Sequence, residues 1–485
     1  MNILFIYSTD DSVSLLKPLN SSEYIAFGIS YISAVLKANK YNTDILVLSS
    51  NYGKAYVKLL EEKINNNNPE LICFTAVSSQ YSFISQVADY IKNIRPDIFL
   101  VIGGAHASLA PDNVITDSFN ALCIGEGEFP TLELAQKIRD KEEITAIPNL
   151  WIKKTEIVEK NNSRPFMHDL DILPFPDRES WQPWIDEKNE ARIAVLLGRG
   201  CPYSCTYCSN HALRKLATGK YVRLRTVKNI IEEIKHLLGK YPDHRSYYLE
   251  VETLTINKEW LFELCEQLHN LNSTLNNPIG FSANYRVSKN ALDDAIFQAL
   301  KKANFVSLNI GLESGSERVR REILDRSYTN DEFLQAVSLA RKYGLKVNLY
   351  NLVGLPGETY NDYLETVKIN RIARPDSVMT SIFFPYPGTK LYDRCIENGY
   401  LPNKINFSRE RRRGVLEMPL FSRRKIMNAY VWFEYRIYKA YKPRWLLLLR
   451  VLQYKILSNS FTNKIYKFFT SLKFIKVFLK RIIQS

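Results

Sequence analysis

The chain has 485 residues, 46% of them hydrophobic, enough for about two or three domains with full cores and too apolar for disorder throughout. Its seven cysteines, at 73, 123, 201, 205, 208, 265 and 395, are too few and too scattered for a disulfide scaffold. The net charge of +14 sits late in the chain: residues 404–485 hold 20 Lys and Arg against three Glu, an excess of +17, so residues 1–403 sum to −3.

Met1–Tyr7 lacks a basic leader and reads as a buried strand, not a signal peptide, and no run of about 18 uncharged apolar residues predicts a membrane span. A reducing, cytoplasmic setting is expected. Apolar strands are predicted at Ile3–Tyr7, Thr43–Leu48, Leu71–Val77, Phe99–Ile102 and Ala121–Ile124. Helices are predicted over Gly28–Lys40, Lys54–Asn65, Phe83–Ile94, Pro111–Asp117 and Pro130–Arg139. Nearly all-apolar strands alternating with helices predict an α/β fold, a doubly wound parallel sheet spanning residues 1–145. Such sheets bind ligands at the carboxyl ends of their strands. Gly103 and Gly104 follow the fourth strand there, Gly125 and Gly127 the fifth. Glycines at these places either let a ligand approach the backbone or simply make tight turns. Residues 146–188 read as a linker, since Pro165, Pro174, Pro176 and Pro183 interrupt any periodicity. Asp169, Asp171 and Asp177 are expected to be solvated loop acids.

A second alternating run covers residues 189–400. Its strands are predicted at Ile193–Leu197, Tyr247–Val251, Ile279–Ala283, Ser307–Ile310, Leu345–Tyr350 and Val378–Phe383. Helices are predicted at Val227–Leu238, Lys258–Asn270, Lys289–Lys302, Ser316–Leu324, Asn330–Tyr343 and Tyr360–Ile372. Six strands with intervening helices predict a partial (β/α)6 barrel, in which chemistry collects at the C-terminal strand ends. Residues 401–485 predict a basic, mainly helical region. In its last segment Ile465, Phe469, Leu472, Leu479 and Ile483 share one helical face with Lys476, which fits a helix packed on the body as well as one on a membrane surface.

Directly after the strand Ile193–Leu197 comes Gly198-Arg199-Gly200-Cys201-Pro202-Tyr203-Ser204-Cys205-Thr206-Tyr207-Cys208. Three thiolates on one short loop can hold three irons of a cubane and leave the fourth iron open to an external ligand. Zinc on these cysteines plus His211 is the rival reading, although structural zinc typically takes paired short spacings.

This loop resembles the signature of the radical S-adenosylmethionine superfamily in spacing, in its place after the first barrel strand, and in Tyr207 before the last cysteine. Leu308-Asn309-Ile310-Gly311-Leu312-Glu313-Ser314-Gly315 is similar to a family segment in which a strand-end Glu or Ser approaches the cofactor. Asn351-Leu352-Val353-Gly354-Leu355-Pro356-Gly357-Glu358-Thr359 resembles the strand end that supports adenine, and Ser282-Ala283-Asn284-Tyr285-Arg286 a strand whose Arg faces the active site. Pro385-Tyr386-Pro387-Gly388-Thr389 is similar to the segment that closes the barrel. The resemblance implies a 4Fe–4S cluster on Cys201, Cys205 and Cys208. It also implies S-adenosylmethionine on the open iron, cleaved by one electron to a 5′-deoxyadenosyl radical. The implied cofactor residues are Tyr207 beside the adenine, Arg286, Glu313, Ser314, Val353 and Gly354. For the acid that meets the cofactor's amino group, Glu252 is chosen over Glu250, which faces the opposite side if the strand runs on regularly.

The first sheet resembles the cobalamin-binding domain attached to a large subgroup of that superfamily. The matching residues are Ile25-Ala26-Phe27-Gly28-Ile29-Ser30-Tyr31-Ile32, Thr75-Ala76-Val77-Ser78, Gly103-Gly104-Ala105-His106-Ala107-Ser108 and Gly125-Glu126-Gly127-Glu128. The Asp-x-His-x-x-Gly motif that supplies a cobalt ligand is absent, and His106 is expected to be a hydrogen-bonded strand-end histidine. The implied activity is cobalamin-dependent radical methyl transfer to an unactivated carbon of a small or lipophilic substrate. The electron donor would be of flavodoxin or ferredoxin type. Alternatives are a radical oxidoreductase or cyclase, a tRNA methylthiotransferase, and a non-catalytic membrane-surface protein with a vestigial cluster. The second wants three N-terminal cysteines where only Cys73 and Cys123 occur. The basic, aromatic tail fits peripheral contact with an anionic membrane at the inner face; nucleic acid is not the expected partner.

Overall fold

The apolar strands of the N-terminal third do pair in parallel. The computed structural model describes residues 1–9, 14–186, 192–402, 410–411 and 413–458. The chain divides into two units, Met1–Ser204 with Cys208–Glu252, and Cys205–Tyr207 with Thr253–Ser485.

The first unit opens with β1 (Asn2–Ser8), α1 (Phe27–Ala38), β2 (Asn42–Leu48), α2 (Tyr56–Asn67), β3 (Leu71–Thr75) and α3 (Ser78–Ile94). It continues through β4 (Phe99–Gly103), α4 (Ala105–Leu109), α5 (Pro111–Val114), β5 (Ala121–Cys123) and α6 (Glu128–Asp140). The strand order β2-β1-β3-β4-β5 is parallel throughout. Successive side chains point to opposite faces. Leu4, Ile6, Leu46, Ile72 and Leu100 enter one core, and Ile3, Phe5, Ile45, Leu71 and Val101 enter the other. Burial on both faces is why these strands read as unbroken apolar runs.

The stretch expected to be a linker departs from that expectation. β6 (Leu150–Lys153) and β7 (Val158–Lys160) extend the same sheet antiparallel beyond β5, so the sheet runs on past residue 145. Leu150 and Ile152 are the inward residues that make this worthwhile. Asp177 is buried, not solvated: it accepts from Ser33 Oγ at 2.6 Å and Ser180 Oγ at 2.7 Å and pairs with Lys37. Asp171 receives the Thr226 hydroxyl at 2.5 Å, just before a helix start.

The unit ends with β8 (Ile193–Leu196), β9 (Gly198–Arg199), α7 (Asn210–Leu213), β10 (Arg223–Leu224), α8 (Val227–Lys240) and β11 (Ser246–Glu250). β8 pairs in parallel with β11, and β9 antiparallel with β10.

The second unit alternates α9 (Lys258–Ser273), β12 (Gly280–Tyr285), α10 (Asp294–Lys302), β13 (Phe305–Glu313), α11 (Asn330–Lys342), β14 (Lys346–Val353), α12 (Tyr360–Ala373) and β15 (Ser377–Ile382). β12, β13, β14 and β15 are parallel neighbours in chain order. The helices start at side-chain caps, Asn257 for α9, Asp293 for α10, and capping boxes Thr329/Glu332 for α11 and Thr359/Asp362 for α12. The helix expected at Ser316–Leu324 narrows to one π-helical turn, Val319–Ile323, and the one expected from Lys289 begins only at Asp294.

After α13 (Lys390–Glu397) come α14 (Arg423–Val431), α15 (Phe433–Tyr438) and α16 (Arg444–Ser458). Phe421, Ile426, Phe433, Ile437, Leu447 and Val451 share one core with Val353, Tyr363, Ile382 and Phe383, so this part of the basic region is packed on the second unit's strands and helices. Tyr363 donates to Ala429 O and accepts from Arg436. The expected face Ile465–Ile483 lies outside the described residues, as do Arg409 and Arg412. Among the described residues no helix is long and apolar enough to cross a membrane. Phe421 is fully buried. Phe421→Ala should therefore cost about 3–5 kcal/mol and lower the chemical-denaturation midpoint, whereas a region lying loosely on the surface would leave that midpoint unchanged.

Candidate active site

The cysteine loop leaves β8 through the β9–β10 pair, and backbone crowding shapes its first turn. Gly200 has φ +85°, and a Cβ there would stand 2.2 Å from Tyr221 O. No side chain fits, and only glycine adopts that backbone without strain. Beyond the turn, Arg214 Nη2 donates to Cys201 O at 2.7 Å and Tyr203 O at 3.0 Å. The loop carbonyls are thereby occupied while the Cys201 and Cys208 thiols stay half-buried. Asn210 Nδ2 donates to Cys208 Sγ at 3.4 Å, and Asn210 Oδ1 accepts from Tyr221 OH at 2.6 Å. Burial raises the Tyr221 pKa, and the negative charges of Glu252, Cys208 and Cys201 add to the rise. One hydroxyl thus feels two expected iron ligands and the expected S-adenosylmethionine acid. Glu252 itself is exposed. Because β11 ends at Glu250, strand alternation does not carry through to Glu252. Burial, with Glu252 and Glu23 nearby, pushes the Glu250 pKa up to about 7.

Within the second unit, Cys205 is buried and its sulfur accepts from Arg286 Nη1 at 3.0 Å. Tyr207 OH donates to Glu313 Oε1 at 3.0 Å, and Arg326 Nη1 reaches the same oxygen at 2.7 Å. Glu313 sits at φ +58° where the β13–β14 register shifts. Such bulges re-aim side chains beside functional sites. Burial works against the Arg326 charge, but Tyr207, Tyr328, Glu313 and Cys205 raise its pKa well above the usual value. Ser314, expected at the cofactor, is fully buried instead, with its hydroxyl near Thr366 Oγ1 and accepting from Ser316 N. Val353 closes β14 and is buried. Gly354 N and Leu355 N both donate to Glu358 Oε2, at 2.6 and 3.0 Å. Burial nevertheless lifts Glu358 to about 8.

Gly103, Gly104, Gly125 and Gly127 line one cavity of about 230 Å³ at the carboxyl ends of β3, β4 and β5, together with Glu126, Glu128 and Arg199. Gly104, at φ +94°, would place a Cβ 2.6 Å from Thr75 Oγ1, so a turn requirement and a ligand-facing position coincide there. His106 is not among the lining residues. Its Nδ1 pairs with Ser78 Oγ at 3.0 Å, and burial lowers its pKa to about 4, which leaves a neutral ring bonded at the strand end.

Among the described residues no three Cys, His, Asp or Glu side chains stand gathered as a finished metal cage. The fit to an iron–sulfur cluster lies in the donor set: three thiols on one loop, with N–H donors on Cys205 and Cys208 of the kind that tune cluster potentials. The other four cysteines are buried, and burial raises the pKa of each thiol, to about 12 for Cys123, Cys265 and Cys395. The fit to cobalamin lies in the glycine-lined cavity and in Glu128 Oε2, a buried oxygen without a hydrogen-bond partner among the described residues. Sequence reasoning missed Arg214, Tyr221 and Arg326, which belong to no recognisable segment. Glu126, Glu128 and Arg199 stood inside quoted motifs but were not singled out. Gly200→Ala should lower iron and acid-labile sulfide per chain severalfold after anaerobic reconstitution; full loading would show that the turn is not needed for the cluster.

Residues 195–369 match the Radical SAM superfamily and residues 21–135 the B12 binding domain. An uncharacterized methyltransferase of Pyrococcus horikoshii is 26% identical over 379 residues, covering 77% of this chain and 79% of that protein. The anaerobic magnesium-protoporphyrin IX monomethyl ester cyclase of Rubrivivax gelatinosus is 25% identical over 375 residues; the match takes in 75% of this chain and only 65% of the cyclase. Among solved structures, the radical S-adenosylmethionine methyltransferase TsrM from Kitasatospora setae, with cobalamin and a [4Fe-4S] cluster bound, shares the fold with a TM-score of 0.64. It is 16% identical, over 82% of this chain and 75% of TsrM. The chain thus carries a B12 binding domain followed by a radical S-adenosylmethionine domain, and these two domains imply a 4Fe–4S cluster, S-adenosylmethionine and cobalamin as its cofactors.

Proposed function

We propose that the protein is a methyltransferase acting on an unactivated carbon of a small or lipophilic substrate. The Pyrococcus relative, named as a methyltransferase, supports this across 77% of the chain. The observation that carries the reading is the pairing of a three-thiol loop, its sulfurs met by Arg286 and Asn210, with a glycine-lined cavity at the ends of a B12-type sheet. When bound, the cluster and S-adenosylmethionine supply a 5′-deoxyadenosyl radical and cobalamin supplies a methyl group. The chain's own residues orient these partners and keep water from them. Tyr207, its hydroxyl fixed on Glu313, turns its ring to the adenine, which Val353 and Gly354 support from the end of β14. Glu252 takes the amino group of S-adenosylmethionine. Arg286 withdraws charge from the Cys205 sulfur, and Ser314 holds the turn that follows Glu313. Gly103, Gly104, Gly125 and Gly127 admit cobalamin to the strand ends. The domains we assign are a cobalamin-binding domain from residue 1 through β7, a linker to 188, a barrel over 189–400 and a C-terminal region over 401–485. A flavodoxin or ferredoxin is the proposed electron donor.

With S-adenosylmethionine and a strong reductant, the anaerobically reconstituted protein should form 5′-deoxyadenosine, and Cys208→Ala should abolish it; activity retained by that variant would overturn the cluster assignment. A methyl label carried from S-adenosylmethionine into product supports methyl transfer. The Rubrivivax cyclase favours a second reading, in which the same radical oxidises the substrate or closes a ring. Unlabelled, oxidised product would decide for it.

A peripheral membrane contact, on the cytoplasmic face, is proposed for α16. That helix buries Leu447 and Val451 and turns Trp445, Leu448, Leu449 and Leu452 outward. The outward stripe has i, i+3, i+4, i+7 spacing, and Lys439, Lys442 and Arg444 are exposed beside it in sequence. An apolar stripe with basic flanks suits an anionic lipid surface, each basic residue adding about 1 kcal/mol. Leu448→Glu with Leu452→Glu should sharply reduce flotation of the full chain with phosphatidylserine vesicles. Undiminished flotation would remove α16 as the contact.

A further inference from the structure

The cavity at the ends of the first sheet and the start of the cysteine loop share one group of charges, all within the first unit. Glu128 opens α6, where the helix N-terminus favours a carboxylate. Its Oε1 accepts from Arg199 Nη2 at 2.5 Å, while Arg199 Nη1 reaches Glu126 Oε1 at 3.0 Å. Glu126 is held from its other side by Arg223 Nη1, at 2.9 and 3.0 Å, and by the Met167 N–H at 2.9 Å. Two carboxylates and two guanidiniums cancel, which is how Glu128 and Arg223 come to be buried together. Arg199 also lies over the Tyr31 ring, 5.3 Å from its centroid.

Two observations exceed what a purely structural lattice needs. Glu126, Glu128 and Arg199 line the cavity. Among the described residues, Glu128 Oε2 is buried and finds no hydrogen-bond partner. A buried acceptor left unpaired is costly, and the cost is recovered when a ligand brings a donor. The rim of a corrin carries primary amides, whose N–H groups are such donors. At the other end of the lattice, Arg199 pairs with Arg223 across β9 and β10 and stands two residues before Cys201. A change in the grip on its side chain therefore acts on the strand that delivers the first cluster thiol.

We propose that Glu128 Oε2 accepts a hydrogen bond from a peripheral amide of bound cobalamin, and that Arg199 is the positioning residue through which this cavity and the Cys201 loop sense each other. The proposal rests on the cobalamin assignment. A donor at Oε2 completes the partners of Glu128, stills the carboxylate, and with it stills Arg199 and the loop. By linkage the effect runs both ways, so a loaded cluster tightens the cavity's hold on cobalamin.

The test uses the full chain under anaerobic conditions, with hydroxocobalamin as the probe. In the wild-type protein with its cluster loaded, hydroxocobalamin should slow amide hydrogen exchange across residues 198–204, and Arg199→Lys, which keeps the charge but loses the fork, should lose that slowing. Glu128→Gln turns an amide N–H₂ toward the ligand's own donor, so the Kd for hydroxocobalamin should rise about tenfold, with iron per chain unchanged. Exchange in the wild type that ignores bound hydroxocobalamin would overturn the link, and it requires no variant to fold. A Glu128→Gln protein that binds hydroxocobalamin as tightly as wild type would overturn the acceptor. Wild type that retains no cobalt after desalting would overturn the cobalamin assignment itself and the proposal with it.

Discussion

Glu233 is fully buried on α8 between two guanidiniums. Arg178 Nη2 donates to Glu233 Oε1 at 2.9 Å and to Ala194 O at 2.6 Å; Arg225 Nη1 donates to Glu233 Oε2 at 2.5 Å and to Leu196 O at 2.7 Å. Each arginine is thus a strap between a buried carboxylate and the backbone of β8. Without the carboxylate two cations would be stranded in the core, which is far worse than losing one hydrogen bond. β8 is the strand from which the cysteine loop departs, so the loop's starting point is set by charge neutralisation as well as by sheet pairing. The same place is reinforced by Leu197 N donating to Glu250 O and Arg225 N donating to Leu197 O.

Downstream of that anchor, polar groups are arranged around sulfur and carboxylate rather than spread evenly. In the first unit Asn210 and Arg214 serve the Cys208 sulfur and the Cys201 carbonyl. In the second, Arg286 serves the Cys205 sulfur, and the Tyr207–Glu313–Arg326 group fixes the aromatic ring before the last cysteine. Buried donors of this kind stabilise negative charge on thiolates. Glu250 presents the opposite condition: burial first, and the charges of Glu252 and Glu23 after it, raise the cost of its own charge, and a cation arriving beside it would favour the ionised form.

What the sequence made legible followed from periodicity and from short contiguous motifs. The strands β1 to β5 were readable because burial on both faces leaves an unbroken apolar run. Tyr207, Arg286 and Glu313 were readable because each lies in a contiguous segment with a recognisable form. β6 and β7 were not, being four and three residues long within a stretch rich in prolines and charges. Asp177 looked like a loop acid because two of its partners, Ser33 and Lys37, are far away in sequence. Ser314 and Glu313 are adjacent, yet the bulge sends one carboxylate toward Tyr207 and buries the neighbouring hydroxyl. No spacing rule announces that choice. Arg199 meeting Glu126 and Glu128 is likewise a contact across some seventy residues, invisible to any local pattern.

Arg214 holds the carbonyls of Cys201 and Tyr203 with hydrogen bonds that need no metal. Those two bonds would go on holding that part of the loop when iron is lost. For a centre that oxygen destroys, damage then leaves a mould behind, and recovery after exposure becomes a matter of resupplying iron and sulfide to a waiting shape instead of folding the loop anew.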